Sequence, residues 1–299
     1  MVEIEEAIIR TLCYRDLFDY PLTAEEIGEF LIEHAVPSSQ VEQVLARMVA
    51  EGKVGEIGGY HYLSQKKSLV SQRQRREKIS ERKWARALKR ARVLRFFPWV
   101  RAVFLTGALA AGNADKEADL DFLVITRHNR VWLTRLLVYL IFSALGWKRP
   151  RGGGEAPDRV CLNMFLAEDA LALPEEEQNL FTAHEIALAR PLWARDYLHL
   201  RFLGENPWVK KFLPNLEIPK IKIPAPRSYL PPVVFIFDLA DWLSRQLQLL
   251  YMARRRTREV VERQRILFHP QDLSREVLSA FKVRVFSQLH RNPAYDRAT

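Results

Sequence analysis

The segment of residues 105–126, LTGALAAGNADKEADLDFLVIT, constrains the fold of this chain more than any other. It reads as the end of one strand, a turn at Gly107, a polar loop, and a second strand of apolar residues over 120–126. Asp119 and Asp121 are separated by one residue where that second strand begins. Two neighbouring carboxylates repel each other unless a cation or a ligand lies between them. The segment therefore predicts a bound cation or ligand at the start of the strand; the alternative is a solvated strand entry after the polar loop of residues 113–119.

The spacing of the two aspartates suits a divalent cation. In a strand, residues i and i+2 point to the same side, so both carboxylates would project from one face. Mg²⁺ takes hard oxygen ligands, usually one or two carboxylates together with substrate phosphates. Upstream, a glycine at position 107 lets the backbone approach a phosphate closely, and the N–H groups of a following helical turn would face that anion. The sequence therefore predicts a metal and a phosphate group held between Gly107 and the two aspartates.

A glycine turn followed by an Asp-x-Asp pair resembles the signature of the DNA polymerase β-like nucleotidyltransferase superfamily. Residues 106–108, Thr-Gly-Ala, match its Gly-Ser turn with alanine in place of serine, and residues 119–121 match its acid pair. The superfamily has a third acid on a further strand. Here that strand is predicted over 159–166, RVCLNMFL, where Asn163 is the best-aligned polar residue.

The resemblance implies an activity and a set of roles. It implies a Mg²⁺ cofactor, with Mn²⁺ as an alternative, and transfer of a nucleoside monophosphate from a nucleoside triphosphate to an acceptor hydroxyl, with release of pyrophosphate. Asp119 and Asp121 would be the catalytic residues and the metal ligands. The residues that would bind the nucleotide are Thr106, Gly107, Ala108 and Asn163.

An asparagine at the third position leaves two hypotheses open. Its oxygen can bind a metal, but it cannot accept a proton as a general base. The chain is then either an enzyme in which another acid serves, or a catalytically degenerate nucleotidyltransferase-fold protein that binds nucleotide or nucleic acid as a regulatory module. The acids near enough in sequence to substitute are Glu155, Asp158, Glu168, Asp169 and Glu185. For His184 an ordinary helix hydrogen bond is the favoured interpretation.

The first 64 residues resemble a winged helix-turn-helix domain. The predicted landmarks are a helix over 4–17, capping boxes at Thr23 with Glu26 and at Ser39 with Glu42, and a hairpin turn at Gly58-Gly59. This segment holds 4 Lys and Arg against 12 Asp and Glu, a net charge of −8 (4 − 12). Because phosphate neutralisation supplies most non-specific DNA affinity, the charge favours protein docking or packing over DNA binding.

The next segment has the opposite charge. Residues 65–101 hold 14 Lys and Arg and 2 acids, a net charge of +12 (14 − 2). Residues 66–97 contain no glycine or proline, so 65–99 is predicted to be a basic connecting helix. Such a helix can attract RNA or another polyanionic acceptor, or it can simply present a solvated face.

The remaining sequence completes an α+β, mixed α/β chain with a small mixed sheet in its central domain. The predicted units are a nucleotidyltransferase-like domain at 100–213, a proline-rich linker at 214–232, and a C-terminal helical region at 233–299. Helices are expected over 174–190, 233–256, 258–268 and 273–290.

Cysteine content and hydropathy bear on the compartment. The chain has 2 cysteines without metal or redox spacing, and its first residues are acidic where an export signal would be basic. These features favour the cytoplasm. Two apolar segments, 131–147 and 233–252, contain Arg135 and Asp238 respectively, so they are predicted to be buried helices, and no membrane partner is expected.

Overall fold

The computed structural model describes residues 2–63, 67–150, 156–218, 231–252, 260–267 and 271–290. These residues form a mixed α+β structure with one three-stranded and one six-stranded sheet, which confirms the predicted fold class at that level. The predicted linker at 214–232 lies largely outside the described residues.

The N-terminal part combines three helices with the smaller sheet. Its elements are α1 (Val2–Asp16), β1 (Leu22–Thr23), α2 (Ala24–Glu29), α3 (Ser38–Ala50), β2 (Gly55–Ile57) and β3 (Tyr60–Tyr62). The strands are antiparallel in the order β1-β3-β2. Apolar side chains from all three helices, including Ile8, Ile27 and Leu45, form a shared core beneath this sheet.

Of the turn and capping predictions for this part, two are confirmed and one is wrong. Thr23 and Glu26 form the predicted capping box at α2. Gly58 and Gly59 both have positive φ between β2 and β3, as a two-residue hairpin requires. The capping box predicted at Ser39 is absent from this described helix end, because α3 begins at Ser38 behind Pro37, which has no side-chain oxygen to cap it.

Helix α4 (Ser68–Val93) follows this part and covers most of the basic segment, 65–99, that is predicted to be helical. Several of its cations bond within the fold. Arg73 is buried and donates to Glu26 and Glu77, while Arg76 donates to the Asn113 side chain at 3.0 Å. The cations that remain exposed include Arg75, Arg82, Lys89 and Arg92.

Arg73 and Glu26 give a stability prediction. The guanidinium of Arg73 donates to both oxygens of Glu26, at 2.7 and 2.8 Å, and only 4% of the arginine is exposed. Glu26→Ala removes this partner and half of the capping box, so we expect a loss of about 3 kcal/mol in the free energy of unfolding. Urea denaturation of Glu25→Ala, an exposed neighbour in the same turn, is the control and should differ from wild type by less than about 0.5 kcal/mol. Equal effects of the two substitutions would contradict the pairing.

The larger sheet lies in the middle of the chain. Its elements, with the surrounding helices, are β4 (Val100–Leu105), α5 (Gly107–Ala110), β5 (Leu120–Thr126), α6 (Val131–Ala144), β6 (Val160–Ala167), α7 (Leu180–Leu188), β7 (Arg190–Ala194), α8 (Leu198–Gly204), α9 (Val209–Phe212), α10 (Pro231–Met252), β8 (Val260–Val261), β9 (Arg265–Leu267) and α11 (Gln271–Leu289). The strand order is β7-β4-β5-β6-β9-β8. Strands β5 and β6 run parallel, and the other pairs are antiparallel.

Two predicted helices are corrected. The helix expected over 258–268 is replaced, in its described residues, by β8 and β9, because Ile266 is fully buried and β9 pairs with β6. The helix expected over 174–190 begins only at Leu180, where Asn179 caps it, and the chain continues into the unpredicted strand β7 at its far end.

Both faces of the larger sheet are covered, which fixes the position of β5. Phe122 and Val124 pack with α4 and α6 on one face, and Leu123 and Ile125 pack with α7, α8 and α11 on the other. A strand buried on both faces cannot slip by one residue without loss of packing. The aspartates at its start are therefore held in place by the core.

Helices α6 and α10 correspond to the two apolar segments of the sequence. In the described part of the chain, no helix combines the length and apolar character needed to cross a bilayer. The prediction that both helices are buried is wrong for α10, which exposes large apolar side chains such as Phe235 and Leu250.

Candidate metal centre

The two aspartates lie where a tethered loop enters β5. Lys83 of α4 is buried, and its ammonium donates to the carbonyl oxygens of Lys116 at 2.8 Å and Ala118 at 2.7 Å. This lysine fixes the loop one residue before Asp119. The sequence presents Lys83 only as one cation of a basic helix, so nothing in its local pattern reveals this role.

Asp119 and Asp121 do come together, and a third side chain joins them. Ligand atoms of Asp119, Asp121 and Cys161 all lie within 4.8 Å of one another. Cys161 stands on β6 directly opposite Asp121 in the parallel register. The third member of the cluster is therefore a thiol at 161.

Asn163, the residue predicted for this position, lies elsewhere in the register. Between the pairs Asp121–Cys161 and Leu123–Met164, β6 advances three residues while β5 advances two. Asn163 falls within this irregularity, and its side chain lies outside the described residues. Cys161 and Asn163 share a face in the predicted strand, so alternation alone does not decide which of them stands opposite Asp121.

Arg149 neutralises part of the negative charge. Its Nη1 atom lies 2.6 Å from Oδ2 of Asp119. Burial, together with the neighbouring Asp121, nevertheless raises the pKa of the Asp119 carboxyl above its ordinary value, and Arg149 offsets only part of this effect. Arg149 therefore compensates only part of the negative charge of the two aspartates.

The thiol in the cluster is held in its neutral form. Burial, with added repulsion from Asp121 and Asp119, raises the pKa of Cys161 to about 12. A thiol is a metal ligand chiefly as its thiolate. At neutral pH, oxygen atoms of the two aspartates are therefore the available anionic ligands of the cluster.

The repulsion within the cluster predicts a gain in stability when it is relieved. Because the pKa of Asp119 is higher in the folded than in the unfolded protein, this carboxyl stabilises the fold at pH values below its unfolded pKa. That contribution to the free energy of unfolding is lost as the pH rises through the pKa of the folded protein. Asp121→Asn removes one cause of the shift. We expect its Tm at pH 7 to rise by about 2 to 4 °C, equivalent to about 1 kcal/mol, with no gain below about pH 3.5. Calorimetric melting at both pH values, with the exposed Asp115→Asn as control, tests this; an unchanged or lowered Tm at pH 7 would contradict it.

Gly107 is packed directly against Asp121. Its φ is +65°, and a Cβ atom at this position would lie 2.9 Å from Oδ2 of Asp121. The backbone N–H of Thr106 donates to the Asp121 carbonyl oxygen at 3.0 Å. Glycine is therefore required at position 107 both for its left-handed conformation and for this close approach.

The predicted phosphate-binding residues surround that contact. Thr106 is buried in the position before α5, Gly107 opens the helix, and Ala108 follows it with its side chain exposed. The first N–H groups of a helical turn have no acceptor within that turn. The turn thus offers backbone donors next to the carboxylate cluster.

The acids considered as substitutes for a third carboxylate have other positions. Asp158 pairs with Lys83 and Arg86, buried Glu168 pairs with Arg101, and Asp169 pairs with His128. Among the residues that the structure describes, none of these acids joins the cluster; Glu155 lies outside them. Glu185 lines the cavity described next.

A cavity of about 940 Å³ opens beside the glycine turn. It is lined by Gly107 and Asp121 at one side and by α1, α7 and α11 at the others, with mostly apolar walls. His184 in α7 is buried in its wall, where its Nδ1 lies 2.9 Å from the Leu180 carbonyl oxygen, and burial lowers its pKa to about 3. The prediction of an ordinary helix hydrogen bond for His184 is confirmed.

Comparison with known proteins adds no assignment: no protein-family model, curated protein or solved structure matches this chain.

Proposed function

We propose that the chain is a Mg²⁺-dependent nucleotidyltransferase with its site at Asp119, Asp121 and the Gly107 turn. The observation that carries this proposal is the contact between Gly107 and Asp121, because it joins a phosphate-binding type of turn to a pair of carboxylates. The proposal extends the observed α+β architecture to a nucleotidyltransferase fold for the central domain.

The donor set of the cluster fits a hard divalent cation. Asp119 and Asp121 offer carboxylate oxygens close enough to share one ion, and the side chain of Cys161 lies beside them. Mg²⁺, or Mn²⁺ in its place, would neutralise charge on the triphosphate and polarise its α-phosphorus. The surplus negative charge at Asp119 supports this assignment, since a bound cation would relieve it.

The protein groups then have defined tasks. Gly107 and Ala108 are proposed to bind phosphate oxygens through their backbone N–H groups, since the N–H of Thr106 already donates to the Asp121 carbonyl oxygen. Asn163 on β6 is proposed to orient nucleotide or water. Arg149 is a second cation at the site, able to exchange its contact with Asp119 for a phosphate oxygen. The acceptor oxygen bonds to the α-phosphorus and its proton passes to solvent water, while the bond from the α-phosphorus to the α,β-bridging oxygen breaks and pyrophosphate leaves.

The cavity supports a small-molecule acceptor. At about 940 Å³ it has the size of a small-ligand site and reaches Asp121. The alternative, an RNA or other polyanionic acceptor on α4, has weaker support in the fold than in the charge of its sequence, because Arg73, Arg76 and Lys83 bond within the fold. We therefore propose a hydroxyl-bearing acceptor with an apolar body.

The N-terminal part is proposed as a winged-helix domain used for packing. Its helices and three-stranded sheet have the element order of that fold. It is joined to the rest by Asn215, whose amide donates to the carbonyl oxygens of Gly28 at 2.7 Å and Val36 at 3.0 Å. Its net negative charge supports this role over DNA binding. A cytoplasmic location completes the proposal.

Incubation with labelled nucleoside triphosphates tests the function. The full chain is mixed with each triphosphate, Mg²⁺ or Mn²⁺, and separate pools of small alcohols, sugars and RNA. Transfer of label with stoichiometric release of pyrophosphate is expected from the small-molecule pools. Triphosphate binding without pyrophosphate release would instead support the regulatory, catalytically degenerate alternative, and absence of binding would exclude both.

A further inference from the structure

Helix α10 has its polar and apolar sides exchanged relative to a normal surface helix. Among its described side chains, residues 235–252, every exposed one is apolar. The polar side chains of Asp241, Ser244 and Gln248 are buried instead. A helix at the surface of a water-soluble domain normally shows the opposite pattern. We call this exposed apolar side the outer face of α10; it includes Phe235, Leu239, Trp242, Leu243, Leu247 and Leu250.

Specific hydrogen bonds hold α10 in this orientation. Oδ1 of Asp241 accepts from the backbone N–H of Leu133 at 2.8 Å, and Nε2 of Gln248 donates to the Trp132 carbonyl oxygen at 2.8 Å. Arg135 donates to Oε1 of the same glutamine. Rotating α10 to hide its apolar side would leave these buried groups without partners, which is costly. The outer face is therefore a fixed feature of the fold.

The outer face is too large to be an ordinary scatter of surface apolar residues. It runs from Phe235 to Tyr251, about 24 Å along the helix. Phe235 at its start is 72% exposed, and Leu250 near its end is 75% exposed. Leu140 of α6, the helix on which α10 packs, and Leu145 directly after that helix are also exposed. Contiguous apolar patches of this kind mark interaction surfaces.

The charge of the flanking sequence indicates what binds there. Residues 219–230, before the helix, contain three Lys and Arg and no acid, and residues 253–259, after it, contain four Arg and one Glu. Aromatic and leucine side chains on one helix face, next to clustered cations, match the surface of a bilayer that carries anionic lipids. We propose that α10 docks on an anionic lipid surface, with its outer face among the headgroups and upper acyl chains.

This docking is distinct from crossing the bilayer, and it departs from the sequence-based expectation of no membrane partner. A second copy of the chain is a poorer fit to the same face. In a two-fold pairing of α10, the basic flanks of one copy would meet those of the other, so like charges would oppose association. Anionic headgroups offer the complementary charge. The proposal is independent of the proposed nucleotidyl transfer.

Vesicle sedimentation tests the proposal on the full chain. Sucrose-loaded vesicles of phosphatidylcholine are compared with vesicles in which about a third of the lipid is phosphatidylglycerol. We expect binding to the anionic vesicles to be at least about ten-fold tighter and to weaken with added salt. The double substitution Leu243→Glu with Leu250→Glu should lower this binding at least about ten-fold, because both leucines would no longer bury apolar surface.

A matched substitution elsewhere provides the control. Phe96, which follows α4, is 86% exposed and lies outside the outer face, so Phe96→Glu should bind vesicles as wild type does. Equal binding to both vesicle types, or unchanged binding of the double variant, would overturn the proposal. A dimer in sedimentation velocity that the double variant converts to monomer, without vesicle binding by wild type, would assign the face to a second copy and would also overturn it.

Discussion

Replacing Asp119 or Asp121 by asparagine is expected to lower kcat/KM for the proposed nucleotidyl transfer by about 10³-fold or more, because each substitution would remove a charged ligand from the proposed Mg²⁺, which would stabilise the transition state. Asparagine keeps the size of the side chain, so the packing of β5 should survive. The measurement is steady-state pyrophosphate release with Mg²⁺, using the acceptor pool that supports transfer by the wild-type protein.

Asp115→Asn is the matched control for this experiment. Asp115 is an exposed carboxylate in the same loop, and its Oδ1 accepts a hydrogen bond from the backbone N–H of Glu117 at 3.0 Å. We expect it to retain wild-type activity. If all three variants were equally active, the carboxylate cluster would not be the catalytic site.

The same Asp121→Asn protein is expected to be more stable than wild type. Lower activity together with higher stability would identify a site in which the repulsion between the two carboxylates is retained for function.

Gly107→Ala is expected to lower kcat/KM by about 10²-fold, because its Cβ would lie 2.9 Å from Oδ2 of Asp121 and the carboxylate would have to shift. The substitution also places alanine in the left-handed region, which costs about 1 to 2 kcal/mol of stability. Activity and urea denaturation, measured on the same preparation, separate the two effects.

Gly112→Ala controls for the backbone strain. Gly112 has a similar φ of +71°, but a Cβ there would meet only the Tyr20 hydroxyl, at an ordinary 3.5 Å. Both variants should lose comparable stability, and only Gly107→Ala should lose most of its activity. Similar activities for the two variants would mean that the contact between Gly107 and Asp121 has no catalytic role.

Much of the fold is predictable where local signals agree with tertiary packing. The Thr23 capping box, the Gly58-Gly59 turn and the apolar run of β5 each determine their own element. Strands β7, β8 and β9 carry no such local signal, because pairing with β4 and β6 decides their conformation. The helix expected over 258–268 fails for this reason.

The residues of the candidate site likewise divide into those that the sequence identifies and those that only tertiary contacts bring in. Asp119, Asp121 and Gly107 are identified by spacing along one continuous segment, and the structure brings them together. Cys161 depends on the parallel register of β5 with β6 and on the irregularity beside it, which no spacing within β6 reveals. Arg149 reaches Asp119 from 30 residues away. The places of Cys161 and Arg149 beside the aspartates could therefore be found only from the structure.

The outer face of α10 shows that the residue content of a helix does not predict which of its sides is exposed. Its segment contains Asp238, Asp241 and Arg245, which the sequence presents as evidence for a buried helix. In the fold Asp241 is buried and Asp238 pairs with Arg130, so the polar groups are directed inward and the apolar ones outward. Which side of a helix is covered depends on its partners, here α6.

The most direct test of the central claim is calorimetric titration of a non-hydrolysable nucleoside triphosphate into the wild-type protein and into the variant that carries Asp119→Asn and Asp121→Asn. The wild type is expected to bind the triphosphate with Mg²⁺ and to bind it at least about ten-fold more weakly when Mg²⁺ is removed. The double variant should show no such dependence on Mg²⁺. Mg²⁺-dependent binding of equal strength in both proteins would contradict the assignment of the site.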